Sequence, residues 1–336
     1  MSPRRLTVPG LLITACSAPQ SPLDPHGAES SQIFTLGTTY FAIALVTYLI
    51  VNAVLVAALV RRRRTVLPET PDVAPADPDE GRLGRHVRNA TILTAVLLAV
   101  YVGGTWAVEA RVTPTSRVRP LEIEVMARQW WWEMRYKDSV PSQTFITANE
   151  LHLPAGRPVL LTLRSEDVIH SFWVPALHGK KDLVPGKANT LAFTPRETGT
   201  FRGQCAEFCG HQHAHMAFDV VVESPDAYDA WVAAQRTPAR PPSDALRARG
   251  QQVFLGKSCP MCHNILGVRA YGTRGPDLTH VASRRSLAAG TLPNTKGHLA
   301  GWIIDPGRQK PGTKMPPNPM SGDELEALLA YLGGLE

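Results

Sequence analysis

Cysteine is scarce in this chain: five in 336 residues, at Cys16, Cys205, Cys209, Cys259 and Cys262. Four of them fall in two compact motifs, which leaves no pair for a structural disulfide and excludes a disulfide-stapled fold. No second Cys pair accompanies Cys259 and Cys262 to complete a zinc site. Charge is missing from two long stretches, Ser30 to Val60 and Asn89 to Val108. Each reaches the ~20 apolar residues that a bilayer core demands. Two spanning helices are therefore predicted, over about 31–60 and 89–108, joined by a loop at 61–88. Nucleic-acid motifs are absent as well. The net charge of +6 owes much to the arginines at 61–64, 82, 85 and 88, which flank the apolar runs. Arginine beside membrane ends marks the cytoplasmic side, so the loop is expected inside and both termini outside.

What is present is ligand chemistry. Residues 205–216 read Cys-Ala-Glu-Phe-Cys-Gly-His-Gln-His-Ala-His-Met, with the spacing C-x-x-x-C-x-x-x-H-x-x-M. Zinc takes Cys, His and carboxylate but has little use for a thioether, whereas thiolate, imidazole and a weak Met ligand describe an electron-transfer copper site. Two thiolates exceed the single one of a blue-copper centre and call for two copper ions bridged by Cys205 and Cys209. Downstream, Cys259-Pro-Met-Cys262-His263 is a C-x-x-C-H haem c attachment signature. Both thiols add to haem vinyl groups and His263 becomes the proximal iron ligand. A thioredoxin-like pair would not need the following His.

The rest of the chain is organised around these motifs. Leu121-Glu-Ile-Glu-Val125 and Phe218-Asp-Val-Val-Val222 alternate as half-buried strands do, which makes residues 112–235 an antiparallel β-sandwich. Residues 236–243 are a Pro-rich, semi-rigid linker, and residues 244–336 form a helical haem domain. That domain ends in a helix with Ser321 as its cap, Glu324 three positions on, and apolar residues at helical spacing. Residues 1–29 are a leader: Arg4, Arg5, a short apolar stretch to Ala15, and then Cys16. This pattern resembles a bacterial lipoprotein signal with its lipobox, making Cys16 a candidate for lipidation; a plain secretory leader is the alternative.

The copper loop resembles the CuA loop of cytochrome c oxidase subunit II, whose pattern C-x-E-x-C-G-x-x-H-x-x-M falls on Cys205, Glu207, Cys209, Gly210, His213 and Met216. The resemblance implies a second histidine from an upstream hairpin. Ser165-Glu-Asp-Val-Ile-His170-Ser-Phe-Trp-Val-Pro175 matches that hairpin and makes His170 the second copper-bound imidazole. His178, His211 and His215 are rivals without the family spacing. By the same resemblance the Glu207 carbonyl touches copper, and its carboxylate reaches a magnesium ion at the border with the catalytic subunit. Gly275-Pro-Asp-Leu-Thr279 resembles the class I cytochrome c loop that orients the proximal histidine. Lys314-Met315-Pro-Pro317 resembles the distal loop, with Met315 as the sixth iron ligand and Met320, His280 and His298 as rivals.

Gln129-Trp-Trp-Trp-Glu133 resembles the family segment whose first tryptophan receives electrons from cytochrome c, which makes Trp130 the candidate. Ala127-Arg128 stands where the family has Gly-His, and no acid lies within residues 89–108 where many oxidases carry one near the start of the second helix. The resemblance implies a two-helix transmembrane hairpin, then an all-β cupredoxin-like sandwich, then an all-α class I cytochrome c domain. The implied function is that of subunit II of a bacterial caa(3)-type haem-copper oxidase in the inner membrane, with its copper and haem domains extracytoplasmic. Its partners would be subunit I, other oxidase subunits, and a c-type cytochrome donor or cytochrome c reductase complex. A CuA-containing nitric oxide reductase subunit is the alternative, discriminated by the neighbouring catalytic subunit. A copper carrier would need neither a covalent haem nor a fixed second histidine, and a quinol oxidase subunit lacks the copper ligands.

Overall fold

The computed structural model describes residues 20–62, 80–112 and 119–336. Cys16 and most of the interhelical loop lie outside the described residues. The described residues between 32 and 112 form one compact unit, and residues 20–31 with 119–336 form another.

The first unit carries two helices, α1 (Ala28–Arg62) and α2 (Glu80–Val112), both long and apolar enough to cross a membrane. Their aliphatic side chains, Leu49, Val54, Leu97 and Val100 among them, face outward, the arrangement expected where lipid is the solvent. Tyr40 and Tyr101 bring their rings within 5.2 Å to pair the helices. α2 begins nine residues before the predicted 89, and carries Arg82, Arg85 and Arg88 on helical turns. The expectation had treated charge as a helix boundary. A helix satisfies its own backbone, so charged turns continue it beyond the apolar core.

In the second unit, ten strands build a sandwich: β1 (Leu121–Arg128), β2 (Trp131–Tyr136), β3 (Phe145–Ala148), β4 (Glu150–Pro154), β5 (Val159–Ser165), β6 (His170–Trp173), β7 (Lys181–Leu183), β8 (Asn189–Phe193), β9 (Gly199–Cys205) and β10 (Ala217–Glu223). One sheet runs β3-β2-β1-β5-β8 and the other β4-β10-β9-β6-β7. Along β1, Leu121, Ile123, Val125 and Ala127 point into the core while Glu122 and Glu124 point away. This is the period-two alternation of a sheet with one buried face. Trp132 is fully buried at the centre, edge-on to Phe172 and Phe218 with centroids 6.1 and 5.1 Å away. The sheets are antiparallel except at β1–β5 and β10–β4, where the pairing is parallel. Helix α3 (Pro225–Gln235) closes the sandwich, stacking Trp231 on His152 at 4.1 Å.

The end of the leader and the start of α1 are strapped to the sandwich: Gly27 bridges Pro195, and Ser30 Oγ donates to the Ala176 carbonyl at 2.8 Å. His26 lies between Asp24 and Glu197, 2.7 Å from the latter.

The haem domain holds α4 (Ala245–Gly256), hairpins β11 (Asn264–Ile265) with β12 (Ala270–Tyr271) and β13 (Ser286–Leu287) with β14 (Leu292–Pro293), and helices α5 (Lys296–Ile304), α6 (Pro306–Gln309) and α7 (Gly322–Leu332). The predicted cap is a full capping box: Ser321 Oγ accepts from the Glu324 N–H, and Glu324 accepts from the Ser321 N–H at 2.9 Å. α4 crosses α7 at Gly250, where a Cβ would lie 2.0 Å from the Ala327 carbonyl oxygen, so the close crossing requires glycine. Residues 236–243 are no free spacer. Arg236 pairs with Asp138 of the sandwich at 2.7 Å, and the Ala239 N–H donates to Leu266 of the haem domain. A second seam follows β13, where Ser286 donates to Asp219 and the Arg285 N–H to Glu150.

Candidate redox sites

The copper loop leaves β9 at Cys205 and returns into β10 after Met216, while His170 opens β6, the neighbour of β9. Two adjacent strand ends thus face the loop between them. Cys205 and Cys209 Sγ lie 3.7 Å apart, unbonded. His170 Nδ1 stands 3.8 Å from Cys205 Sγ, and His213 Nδ1 stands 3.6 Å from Cys209 Sγ. Met216 Sδ is 3.8 Å from Cys209 Sγ, and the Glu207 carbonyl oxygen is 3.2 Å from Cys205 Sγ. Each of the other four predicted groups therefore lies within 3.2–3.8 Å of one of the two sulfurs. Among the described residues, His170, Cys205 and Cys209 form the one cluster of three or more His, Cys, Asp or Glu ligand atoms close enough to share a metal ion.

Charge fits the same assignment. Hydrogen bonding from Cys209 and from the His170 ring, against the opposing effect of burial, pulls the Cys205 thiol well below its ordinary range; the resulting thiolate pushes Cys209 up. A cation between the sulfurs removes that conflict, because coordinated thiols are deprotonated outright.

Sequence reasoning missed the groups that aim these ligands. Asp167 Oδ1 is 2.9 Å from His170 Nε2. The carboxylate thereby holds the Nε2–H tautomer, leaving Nδ1 free for metal. Burial alone would raise Asp167, but hydrogen bonds from His170 and from the Gln129 and Val168 N–H groups hold its carboxyl well below the usual range. Gln129 Nε2 and Trp130 Nε1 both donate to the Cys209 carbonyl, at 2.8 and 2.9 Å. Asp167 sits inside the quoted hairpin motif, and Gln129 inside the tryptophan motif. Of the rivals, His178 bonds the Gly179 carbonyl and His215 pairs with Gln212.

A cavity of about 530 Å³ opens beside this site, within the ~300–1,000 Å³ usual for a cofactor. Cys262, His263, Met315, Arg284, Trp302 and Trp130 are among the residues lining it. His263 Nδ1 donates to the Pro276 carbonyl at 2.8 Å, which leaves Nε2 as the iron-binding nitrogen. A Cβ on Gly275 would fall 2.7 Å from the His263 ring, so glycine is what lets the imidazole lie against this loop. Met320 packs against the haem-domain core, His280 bonds the Glu336 carbonyl, and the His298 ring bonds the hydroxyl of Thr295, the residue that caps α5. Arg284 went unnoticed in the sequence. Its guanidinium bonds the Asp277 carbonyl and lines the cavity, with other donors of its fork left for an anion such as a haem propionate.

Comparison with known proteins agrees with both sites. Residues 141–224 match the family model for the periplasmic domain of cytochrome c oxidase subunit II, and residues 247–336 match cytochrome c. Cytochrome c oxidase subunit 2 of Alkalihalophilus pseudofirmus is 32% identical over 342 residues, covering 97% of this chain and 94% of the relative. The chain belongs to the cytochrome c oxidase subunit 2 family. The Bacillus subtilis family member is 29% identical, over 97% of this chain and 95% of its own. The periplasmic domain of subunit II from Bradyrhizobium japonicum aligns at 29% identity and TM-score 0.34, over 37% of this chain and 96% of that one. A subunit 2 with an attached cytochrome c domain implies CuA copper and haem c. The residues present fit both groups, the first by its soft donor set and the second by its cavity, paired thiols and buried cation.

In this subunit 2 the two sites share a wall. The Met315 loop lies on the copper loop: Gln212 Nε2 donates to the Pro311 carbonyl at 2.7 Å, and Lys310 Nζ donates to the His215 and Trp130 carbonyls at 2.8 and 2.9 Å. A Cβ on Gly312 would sit 3.6 Å from the Trp130 ring.

Proposed function

We propose that this chain is the electron-receiving subunit of a bacterial caa(3)-type cytochrome c oxidase. It takes electrons from a c-type cytochrome donor or a cytochrome c reductase complex and delivers them through haem c and CuA to subunit I, where oxygen is reduced to water. The observation that carries this reading is the seating of the Met315 loop on the CuA loop, with Trp130 between them. Bound haem and copper supply the one-electron redox chemistry. The chain's own residues hold and aim them. Cys259 and Cys262 attach the haem, with His263 and Met315 as iron ligands; His170, Cys205, the Glu207 carbonyl, Cys209, His213 and Met216 hold the copper pair. The Glu207 carboxylate would serve magnesium at the subunit I border.

Trp130 suits a relay inside the chain. Its ring borders the haem cavity and its Nε1–H ends on the carbonyl of copper ligand Cys209. An external donor would then address the haem domain. Arginines at both cytoplasmic helix ends support an inner-membrane hairpin with the redox domains outside, and Cys16 would anchor the leader by a lipid. Rapid mixing of the purified complex with a reduced c-type cytochrome should change the haem c absorbance before the CuA near-infrared band. CuA reduction that precedes haem c reduction would overturn this order.

A further inference from the structure

Lys310 is a buried lysine, 2% exposed, with no carboxylate at its ammonium. Its three donors go to three main-chain carbonyls: Trp130 at 2.9 Å, His215 at 2.8 Å and Ala288 at 2.9 Å. The first belongs to the segment that meets the Cys209 carbonyl, the second directly precedes copper ligand Met216, and the third lies in the haem domain on the cavity wall. Only the ammonium form has three N–H groups to give. Burial pushes its pKa down to about 7. Methionine would fill the same space without that desolvation cost; lysine adds one point at which main chain from both redox domains is tied.

We propose that Lys310 is a positioning residue for electron transfer within the chain, fixing the Met315 loop, Trp130 and the CuA loop in one register. The inference rests on the reading that haem c feeds CuA. Two neighbours act with it. Gln212, itself buried, bonds the next residue's carbonyl, and Gly312, at φ 83°, lets the loop turn against the Trp130 ring. The step moves one electron from reduced haem to oxidised copper, with no bond made or broken. What Lys310 controls is therefore placement, since electronic coupling between the two centres weakens as their separation grows.

The test uses the complete, cofactor-loaded oxidase. Haem c is photoreduced by a ruthenium photosensitiser with a sacrificial amine as the electron source and no protein donor present, and arrival of the electron is followed in the CuA near-infrared band. Lys310→Met should leave the haem c spectrum and potential unchanged while slowing internal transfer several-fold at equal driving force, the CuA potential being measured alongside because the Lys310 charge reaches Cys209, and should raise amide exchange at Lys310, Gly312 and Thr313. An unchanged rate and unchanged exchange overturn the proposal. Should Lys310→Met fail to load its cofactors, Gly312→Ala decides, since it strains the same loop without touching a copper ligand; a normal rate there also overturns it. If photoreduced haem c passes no electron to CuA in the unmodified protein, the underlying order of electron flow is what falls.

Discussion

The copper site and the haem site of this subunit 2 are built in opposite ways. The candidate copper ligands project from strand ends and one loop of a closed sandwich: Cys205, Cys209, Met216 and His170 are all buried, and their donor atoms lie close together. Of the candidate haem residues, Cys262, His263 and Met315 line an open cavity. Cys259, Cys262, His263 and Met315 are each partly exposed, and Met315 is reached through a proline-flanked loop without helix or strand. A β-sheet fixes its strands by hydrogen bonds independent of any metal, whereas the short helices of the haem domain leave a void only a cofactor can fill. Preorganisation by protein and completion by cofactor thus stand side by side in one chain.

Three substitutions probe that contrast, in decreasing order of effect. Cys209→Ser should abolish the CuA near-infrared band and its electron-spin signal while leaving haem c intact; a surviving binuclear signal would remove the copper assignment. Met315→Ala should replace the low-spin, Met-ligated haem by a lower-potential or high-spin form, with the copper signals untouched. Persistence of the sulfur-to-iron charge-transfer band would shift the ligand to Met320. Asp167→Asn is the milder change, since it removes a charge that holds the His170 tautomer and leaves all copper ligands in place. Copper affinity should fall about 10–100-fold in a competition titration, and an unaltered affinity would show that the sandwich alone aims His170.

The smallest effect is at a control position far from both metals in role. Burial lowers the His26 pKa, but the hydrogen bonds its ring donates to the Glu197 and Asp24 carboxylates outweigh that and raise it. A raised folded-state pKa means the contribution is fully present below the ordinary value near 6.5 and is lost as pH rises through the higher folded value. Amide protection factors at Ala28 and Arg196, corrected for the intrinsic rise of exchange with pH, should therefore fall as pH rises through that window, while the CuA and haem spectra stay constant. Equal protection on both sides of the window would show that His26 acts only through its main-chain bonds to Ala176 and Arg196.

Much of this was legible in the residues. Motif spacing singled out the six candidate copper groups and the candidate haem attachment because each motif is local: its members are neighbours along the chain or on adjacent strands. The capping box at Ser321 was visible for the same reason. What could not be seen were contacts across long separations. Nothing in Lys310 itself distinguishes it from a surface lysine until the fold brings it, 180 positions away, to the Trp130 carbonyl. Asp167 lay in plain view within a motif, yet its work on His170 depends on a turn that only the folded hairpin makes. The helix start at residue 80 was misplaced because charge pattern reports on solvent, while helix continuity depends on backbone hydrogen bonds.

The segment at residues 236–243, tied by Arg236 on one side and Ala239 on the other, has a kinetic consequence. Two separate proteins must find each other by diffusion, with steering by surface charge that fades once the Debye length falls below ~10 Å. Joined by a short tether, they need no search, and the effective concentration of one for the other no longer depends on how much of either the cell makes. Internal electron delivery should accordingly be indifferent to ionic strength, leaving all salt sensitivity to the arrival of the mobile donor.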